Sequence, residues 1–278
     1  MLERKIEIMG IVNLTEDSYY APSRCLDTGQ VAAALSRIGT LVAEGADIID
    51  IGAWSTRPRA LPVGAAEEWK RMEPVLKAVA VEFPDVRISI DTYHVSVIRN
   101  AYDILLQECG PEKVKETLII NDISAGEDDP EMLPAAGELG LTYIAMHKKG
   151  DSLTMQSLCD YDNVVEEVKS YFEAFEDKAA RYGIREWIID PGFGFAKTVD
   201  QNYELLKGLS ELSVCGRRIL VGVSRKSMIY RKFGITPEEA LPATQVLHLA
   251  ALQNGAEILR VHDVAEAVRT VELYRLLR

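Results

Sequence analysis

The sequence predicts a (β/α)8 TIM barrel whose working face lies at the C-terminal ends of its strands. Apolar runs of strand length recur at Ile6–Asn13, Asp47–Gly52, Arg87–Thr92, Leu118–Asp122, Leu141–Met146, Trp187–Asp190, Ile219–Ser224 and Glu257–Asp263. Between them lie amphipathic helical patterns, among them Gln30–Glu44, Ala65–Phe83, Val95–Gln107, Asn163–Arg181, Pro237–Asn254 and Val264–Leu277. Gly45, Gly140, Gly183 and Gly255 each stand between a helical stretch and the next strand, where glycine ends helices. Eight strands alternating with helices, in units of roughly 25 to 45 residues, match a barrel. An open doubly wound sheet is the alternative. No linker or low-complexity tract interrupts the chain, so residues 1–278 read as one domain.

Composition sets the bounds. With 47% hydrophobic residues the chain can bury a large core. A net charge of −12 opposes binding to nucleic acid or an anionic membrane surface. No apolar run reaches the roughly 18 residues of a membrane span, and no secretory signal pattern opens the chain. Cys25, Cys109, Cys159 and Cys215 are scattered without a CxxC, which suits incidental thiols in a reducing, cytoplasmic setting.

The residues that end each predicted strand are polar. They are Asn13; Gly52, leading into Ser55-Thr56-Arg57-Pro58; Asp91; Asn121 with Asp122; Met146-His147; Asp190; Ser224-Arg225-Lys226; and Arg260 with His262. A barrel gathers all of these on one face. Asp190 opens the glycine-rich turn Asp190-Pro191-Gly192-Phe193-Gly194-Phe195-Ala196-Lys197, in which Lys197 replaces the third glycine of a dinucleotide loop. Taken singly, each polar end also reads as a helix cap or a salt-bridged rim residue. Arg260 and His262 lie two apart and so point the same way along a strand, where two cations side by side require an anion.

Two chemical groups emerge. Asp91, Asn121, Asp190 and Lys226 offer acceptors and a donor suited to the amino-pyrimidinone edge of a flat heterocycle. Asn13, Arg260 and His262 suit a phosphate or diphosphate, with the Asn carbonyl able to ligate a hard cation bound to it. Carboxylates simply paired with rim cations remain the alternative for both. The polar, aromatic segments Thr15–Tyr20 and Ala53–Pro62 are long for βα connections and read as substrate loops or lids.

These residues carry a resemblance. The segments MGIVNLTEDSYY, GADIIDIGAWSTRP, ISIDTYH, IINDISAG, DPEMLPAAGELG, MHKKG, DPGFGFAKT, LVGVSRKS and GAEILRVHDV resemble the dihydropteroate synthase family from about Ile6 to Leu276. The resemblance implies condensation of 6-hydroxymethyl-7,8-dihydropterin diphosphate with p-aminobenzoate, with Mg2+, in a homodimer. It implies pterin contacts at Asp91, Asn121, Met146, Asp190 and Lys226, and a diphosphate and metal site at Asn13, Arg260 and His262. It further implies aminobenzoate contacts at Thr56, Arg57, Pro58, Phe195 and Ser227, and a catalytic carboxylate at Asp17 beside Lys226, Arg260 and His262. Sulfonamides are then expected to compete with the acceptor. Arg57 and Lys148 are the expected local cations that offset the overall negative charge.

The chain departs from the family pattern in its loops. Glu16, Tyr19, Ala53-Trp54 and Arg59 stand where Pro, Phe, Gly-Glu and Gly are usual, and Tyr20–Arg24 replaces a Ser-Asp-Gly-Gly segment. None falls in the pterin or anion group. Two rivals share the pocket: a non-catalytic pterin-binding paralogue and a methyltetrahydrofolate-dependent methyltransferase. The first would show damage at Asn13, Arg57, Arg260 or His262, and the second has no use for a diphosphate site.

Overall fold

The computed structural model describes residues 5–14, 28–53, 64–150 and 154–278. Strands β1 (Glu7–Asn13), β2 (Ile48–Gly52), β3 (Arg87–Asp91), β4 (Leu118–Asp122), β5 (Thr142–Met146), β6 (Trp187–Asp190), β7 (Arg218–Val221) and β8 (Ile258–Val261) follow one another in parallel. β8 returns to pair with β1 through Met9 and Arg260, closing the predicted (β/α)8 barrel. Around it lie α1 (Thr28–Ala43), α2 (Ala65–Glu82), α3 (Val95–Cys109), α4 (Pro111–Thr117), α5 (Met132–Leu139), α6 (Val164–Tyr182), α7 (Val199–Lys207), α8 (Ser227–Phe233), α9 (Leu241–Gln253) and α10 (Val264–Leu276).

Of the predicted boundaries that move, three have a plain physical cause. The stretch Pro237–Asn254 divides into a 3-10 turn, Glu238–Ala240, and α9, because a proline fits the first turn of a helix but not its interior. β7 stops at Val221, not Ser224: the Val223 carbonyl already accepts from the Lys226 amide in the turn that starts α8. β8 likewise stops at Val261, because the Asp263 carbonyl belongs to the first turn of α10.

Helix α6 shows how sequence fixes an element. Asn163 Oδ1 accepts from the amides of Val165 and Glu166, and Gly183 ends the helix in the left-handed conformation. Val164, Val168, Phe172, Phe175 and Ala179 recur at helical spacing and are buried. Phe175 packs edge-on against Trp187 with 4.9 Å between ring centroids. Cutting it to alanine costs about 3–5 kcal/mol by the usual cavity penalty.

Strand parity fills the lumen in three tiers. Glu7, Arg87 and Arg218 share the N-terminal tier, where the arginines bond Glu7. Met9, Ile48, Ile119, Ile144, Ile188, Leu220 and Ile258 form a dry plug above it. Two residues further along the strands, the inward positions become Asp50, Asp91, Asn121, Met146, Asp190 and Arg260.

Candidate active site

Asp50, on β2, is the centre of the upper tier, and nothing in the strand-end reading singled it out. It is fully buried. Its Oδ1 accepts from Asn121 Nδ2 at 3.1 Å, and its Oδ2 accepts from Arg260 Nε at 2.7 Å. Arg260 Nη2 donates to Asp91 Oδ2 at 2.6 Å. A signal for Asp50 existed in the sequence: a carboxylate between isoleucines in a five-residue strand is a buried charge, and burial requires partners.

Other neighbours complete the cup. Asp190 Oδ1 accepts from the Gly192 amide at 2.8 Å. Lys226 lies just beyond β7, and its Nζ donates to the Phe193 carbonyl at 2.5 Å. The same Nζ stands 4.9 Å from the centroid of the Phe195 ring. Met146 is buried on the wall. Two inward positions carry no side chain at all. A Cβ on Gly52 would lie 3.4 Å from Asp91 Cβ and 3.7 Å from Asn13 Oδ1, and one on Gly222 would lie 3.8 Å from Arg260 Cβ and 4.0 Å from Lys226 Nζ. These glycines leave the mouth open where Asn13, Asp91, Arg260 and Lys226 face one another.

Backbone strain collects on this face. Among the described residues, the non-glycine positions with positive φ are Ala125, Ala196 and Arg225, and each lies in the turn after β4, β6 or β7. Gly192, at φ 68°, passes so close to β5 that a Cβ would sit 2.0 Å from the His147 carbonyl oxygen.

Electrostatics follow from burying five charges together. Burial pushes the Asp91 carboxyl up to about 7; Asp50, Glu68 and Asp190 add to the rise and Arg260 opposes it. Burial raises Asp190 as well, against Lys226 and the Gly192 amide. Lys226 is pulled down to about 8 by burial, with Asp190 holding it up. Burial works against the Arg260 charge, but Asp50 and Asp91 outweigh it and keep that charge fixed above the ordinary arginine value.

His262 lies just past β8, with Nδ1 3.0 Å from Ser224 Oγ. Burial, with Arg260 nearby, pushes it down to about 4, so the ring is neutral at pH 7. The expected pair of unbalanced cations is therefore not what stands here: one partner is neutral and the other is held by two carboxylates. Because Ser224 Oγ accepts from the His262 amide at 3.2 Å, its own proton is available to Nδ1, leaving Nε2–H as a donor.

The strand-end pair Asn121-Asp122 splits, as alternation requires. Asn121 faces the lumen; Asp122 accepts from Ser124 N and Oγ, Gly126 N and Tyr143 Oη, and so organises the β4–α5 turn. Arg225 forks onto Asp263 at 2.8 and 2.9 Å, a staple between the β7 and β8 turns. Lys148 bonds Asp128, so it supplies no open positive charge to the mouth. Ser227 begins α8. Asp17, Thr56, Arg57 and Pro58 lie outside the described residues, as do Glu16, Tyr19, Trp54 and Arg59.

Among the described residues no three His, Cys, Asp or Glu side chains cluster as a metal cage. Asn13 Oδ1 faces the open gap at Gly52 beside Asp91, an oxygen donor of the kind a hard cation completed by substrate oxygens and water would use. No helix among the described residues is long and apolar enough to cross a membrane.

Known proteins resemble this chain in sequence and in fold. Residues 9–262 match the family described as pterin binding enzyme. The dihydropteroate synthase of Synechocystis sp. is 39% identical over 264 residues, covering 94% of this chain and 86% of that protein. The Yersinia pestis dihydropteroate synthase, solved as a sulfonamide drug complex, superposes with a TM-score of 0.87 at 34% identity, over 100% of this chain and 96% of that one. The Xanthomonas albilineans enzyme with 4-aminobenzoic acid gives a TM-score of 0.85 at 34% identity, covering 98% and 93%. Family match, sequence identity and fold agree, and the chain belongs to the pterin-binding enzyme family, among its dihydropteroate synthases.

Proposed function

We propose that the upper tier takes the pterin and that the rim takes its diphosphate, so that the chain joins 6-hydroxymethyl-7,8-dihydropterin diphosphate to p-aminobenzoate and releases diphosphate. One observation carries this reading: Asp91, Asn121, Asp190, Lys226 and Arg260 converge on one mouth although up to 169 positions separate bonded partners. Donation from Asn121 Nδ2 to Asp50 fixes the amide, so its carbonyl oxygen is the acceptor offered to the heterocycle. Asp190 spends Oδ1 on the Gly192 amide and offers Oδ2. Lys226 donates to a ring nitrogen or carbonyl, and Met146 lines the wall.

The bonds from Arg260 to Asp50 and Asp91 use Nε and Nη2, which leaves Nη1 for a phosphoryl oxygen. His262 adds its neutral Nε2–H. Both stabilise negative charge as it grows on the departing diphosphate, while the methylene carbon becomes cationic and conjugated with the pterin. Mg2+ held by Asn13 would supply Lewis-acid stabilisation of that same charge. The arylamine nitrogen then attacks the carbon and loses a proton; no protein nucleophile is modified. Asp17 is assigned to the cation, and Thr56, Arg57, Pro58, Phe195 and Ser227 to the acceptor, which sulfonamides then contest. The family resemblance implies a homodimer, and the exposed Val246 on α9 and Leu273 and Leu276 on α10 supply apolar surface that would suit its interface.

The test pairs turnover with binding. Sustained, multiple-turnover diphosphate release is expected only when both substrates are present, because the arylamine must capture the cation before the site can turn over. Asp190→Asn should weaken pterin binding by calorimetry roughly 10- to 100-fold, the loss of one charged hydrogen bond. Unchanged pterin affinity in that variant would remove Asp190 from the site.

A further inference from the structure

Lys197 is almost fully buried, and its hydrogen bonds go to the Gly192 and Phe195 carbonyls and to His147, not to a side chain assigned to the pterin or the diphosphate. Its Nζ lies 3.0 Å from the Gly192 carbonyl, 3.1 Å from the Phe195 carbonyl and 3.0 Å from His147 Nδ1. An ammonium has three donors and no acceptor, and here it meets three acceptors. His147 completes the match as a neutral ring, pushed down to about 2 by burial and by Lys197 and Lys149.

The turn that Lys197 grips is closed by one backbone bond, Phe195 N to Gly192 O at 3.1 Å, and is costly in its dihedrals. Gly192, Gly194 and Ala196 all have positive φ, and the alanine is strained there. Asn202 takes the other side, its Oδ1 accepting from the Gly194 amide at 2.7 Å. What the turn presents to the cup is the Phe193 carbonyl, bonded by Lys226, and the Phe195 ring, against which Lys226 rests.

We propose that Lys197 is a positioning residue whose ammonium clamps the Gly192–Phe195 turn, so that the Phe195 ring stands on the acceptor side of the cup. The inference rests on the reading that Phe195 flanks p-aminobenzoate. It assigns a role to the residue that breaks the glycine pattern: the third glycine is absent because the turn is closed by a side-chain clamp from beneath. Burial pulls the Lys197 ammonium down to about 7, with Asp190 holding it up and Lys226 and Lys149 adding to the fall. The full set of acceptors is what keeps the proton there.

The experiment compares Lys197→Met and Phe195→Ala in the full chain, with KM for p-aminobenzoate, affinity for pterin diphosphate by calorimetry, and thermal melting. The expected result for Lys197→Met is a rise of roughly tenfold or more in KM for p-aminobenzoate with a clearly smaller loss of pterin affinity, because Asp190 and Lys226 meet the turn at its Gly192 amide and Phe193 carbonyl. Phe195→Ala should show the same split. If Phe195→Ala raises KM and Lys197→Met does not, the clamp is overturned and the acceptor site stands. If Phe195→Ala leaves KM alone, the acceptor site falls and the clamp falls with it. Equal loss of both substrates in Lys197→Met would mark a merely structural lysine and overturn the proposal. Should Lys197→Met not fold, Lys197→Gln keeps two donors for the two carbonyls and should show a smaller rise with the same split; if neither folds, the residue is a folding element and the proposal is wrong.

Discussion

The two ends of the barrel lumen hold opposite arrangements of charge. At the N-terminal end, one carboxylate lies between two guanidinium groups: Glu7 accepts from Arg87 and from Arg218, each at 2.6 Å. Arg218 also reaches Glu257 at 3.3 Å, so the cluster closes on itself. At the C-terminal end, one guanidinium lies between two carboxylates, and Asp190 and Lys226 crowd the same space. Seven apolar side chains separate the two tiers. Buried ion clusters are tolerated when every charge has a partner. The lower tier meets that condition internally. The upper one holds three carboxylates against two cations and raises or lowers their proton affinities, which is the condition of a site awaiting a ligand with donors of its own.

The contrast can be broken most severely at Arg260. Arg260→Ala should lower single-turnover rate by about 100-fold or more, the size of effect seen when a group that stabilises transition-state charge is lost. Pterin affinity should fall less, because Asp50 and Asp91 left facing each other will share a proton and still present an acceptor. Equal losses in rate and affinity would reverse the assignment of Arg260 from the leaving group to the heterocycle.

An intermediate effect is expected below the plug. Glu7→Gln removes the carboxylate shared by Arg87 and Arg218, leaving Arg218 only Glu257, and should cost about 2 kcal/mol in urea unfolding. KM for both substrates should stay as in the parent, because the dry tier lies between. A change in pterin affinity would mean that the two tiers are coupled through it.

The smallest effect is a slope. The Asp91 carboxyl, at about 7 in the folded protein, stands above its unfolded value of roughly 3.9. The folded state therefore keeps a proton that the unfolded chain releases between these values. The contribution of Asp91 to stability is full below about pH 4 and is lost as pH rises through 7. Lys226 runs the other way: depressed to about 8, it contributes fully only above its unfolded value and loses this as pH falls through 8. Because His147 and His262, depressed by burial, gain stability as pH rises through their unfolded value, the Asp91 share is read as a difference: between pH 5 and 7.5 the melting temperature of the ligand-free parent should fall relative to that of Asp91→Asn by on the order of a few degrees. An unaltered slope in the variant would show that another group titrates.

The legible part of the site was the part that ends strands. Asp91, Asn121 and Asp190 each sit at or next to the last residue of a short apolar run, so period-two alternation and a following turn place them at the mouth. Asp50 escaped because it lies two residues inside its strand, where only a buried-charge argument would have found it. Asp122 was grouped with Asn121, but adjacent residues on a strand face opposite ways, and it became the hub of a turn. Lys197 was noticed only for breaking a glycine pattern. The acceptors that give it a purpose lie on Gly192, Phe195 and His147, and the last is 50 positions away.

By itself the sequence determined the barrel, since eight apolar runs with helices between them can bury both faces of a parallel sheet in few other ways. It also determined which polar residues crown the strands, because alternation is a local property. Which of those charges neutralise one another was decided only by closure of the sheet. Arg260 meets Asp50 and Asp91 across the lumen, from strands at opposite ends of the chain, and such pairing depends on distances that no local pattern encodes.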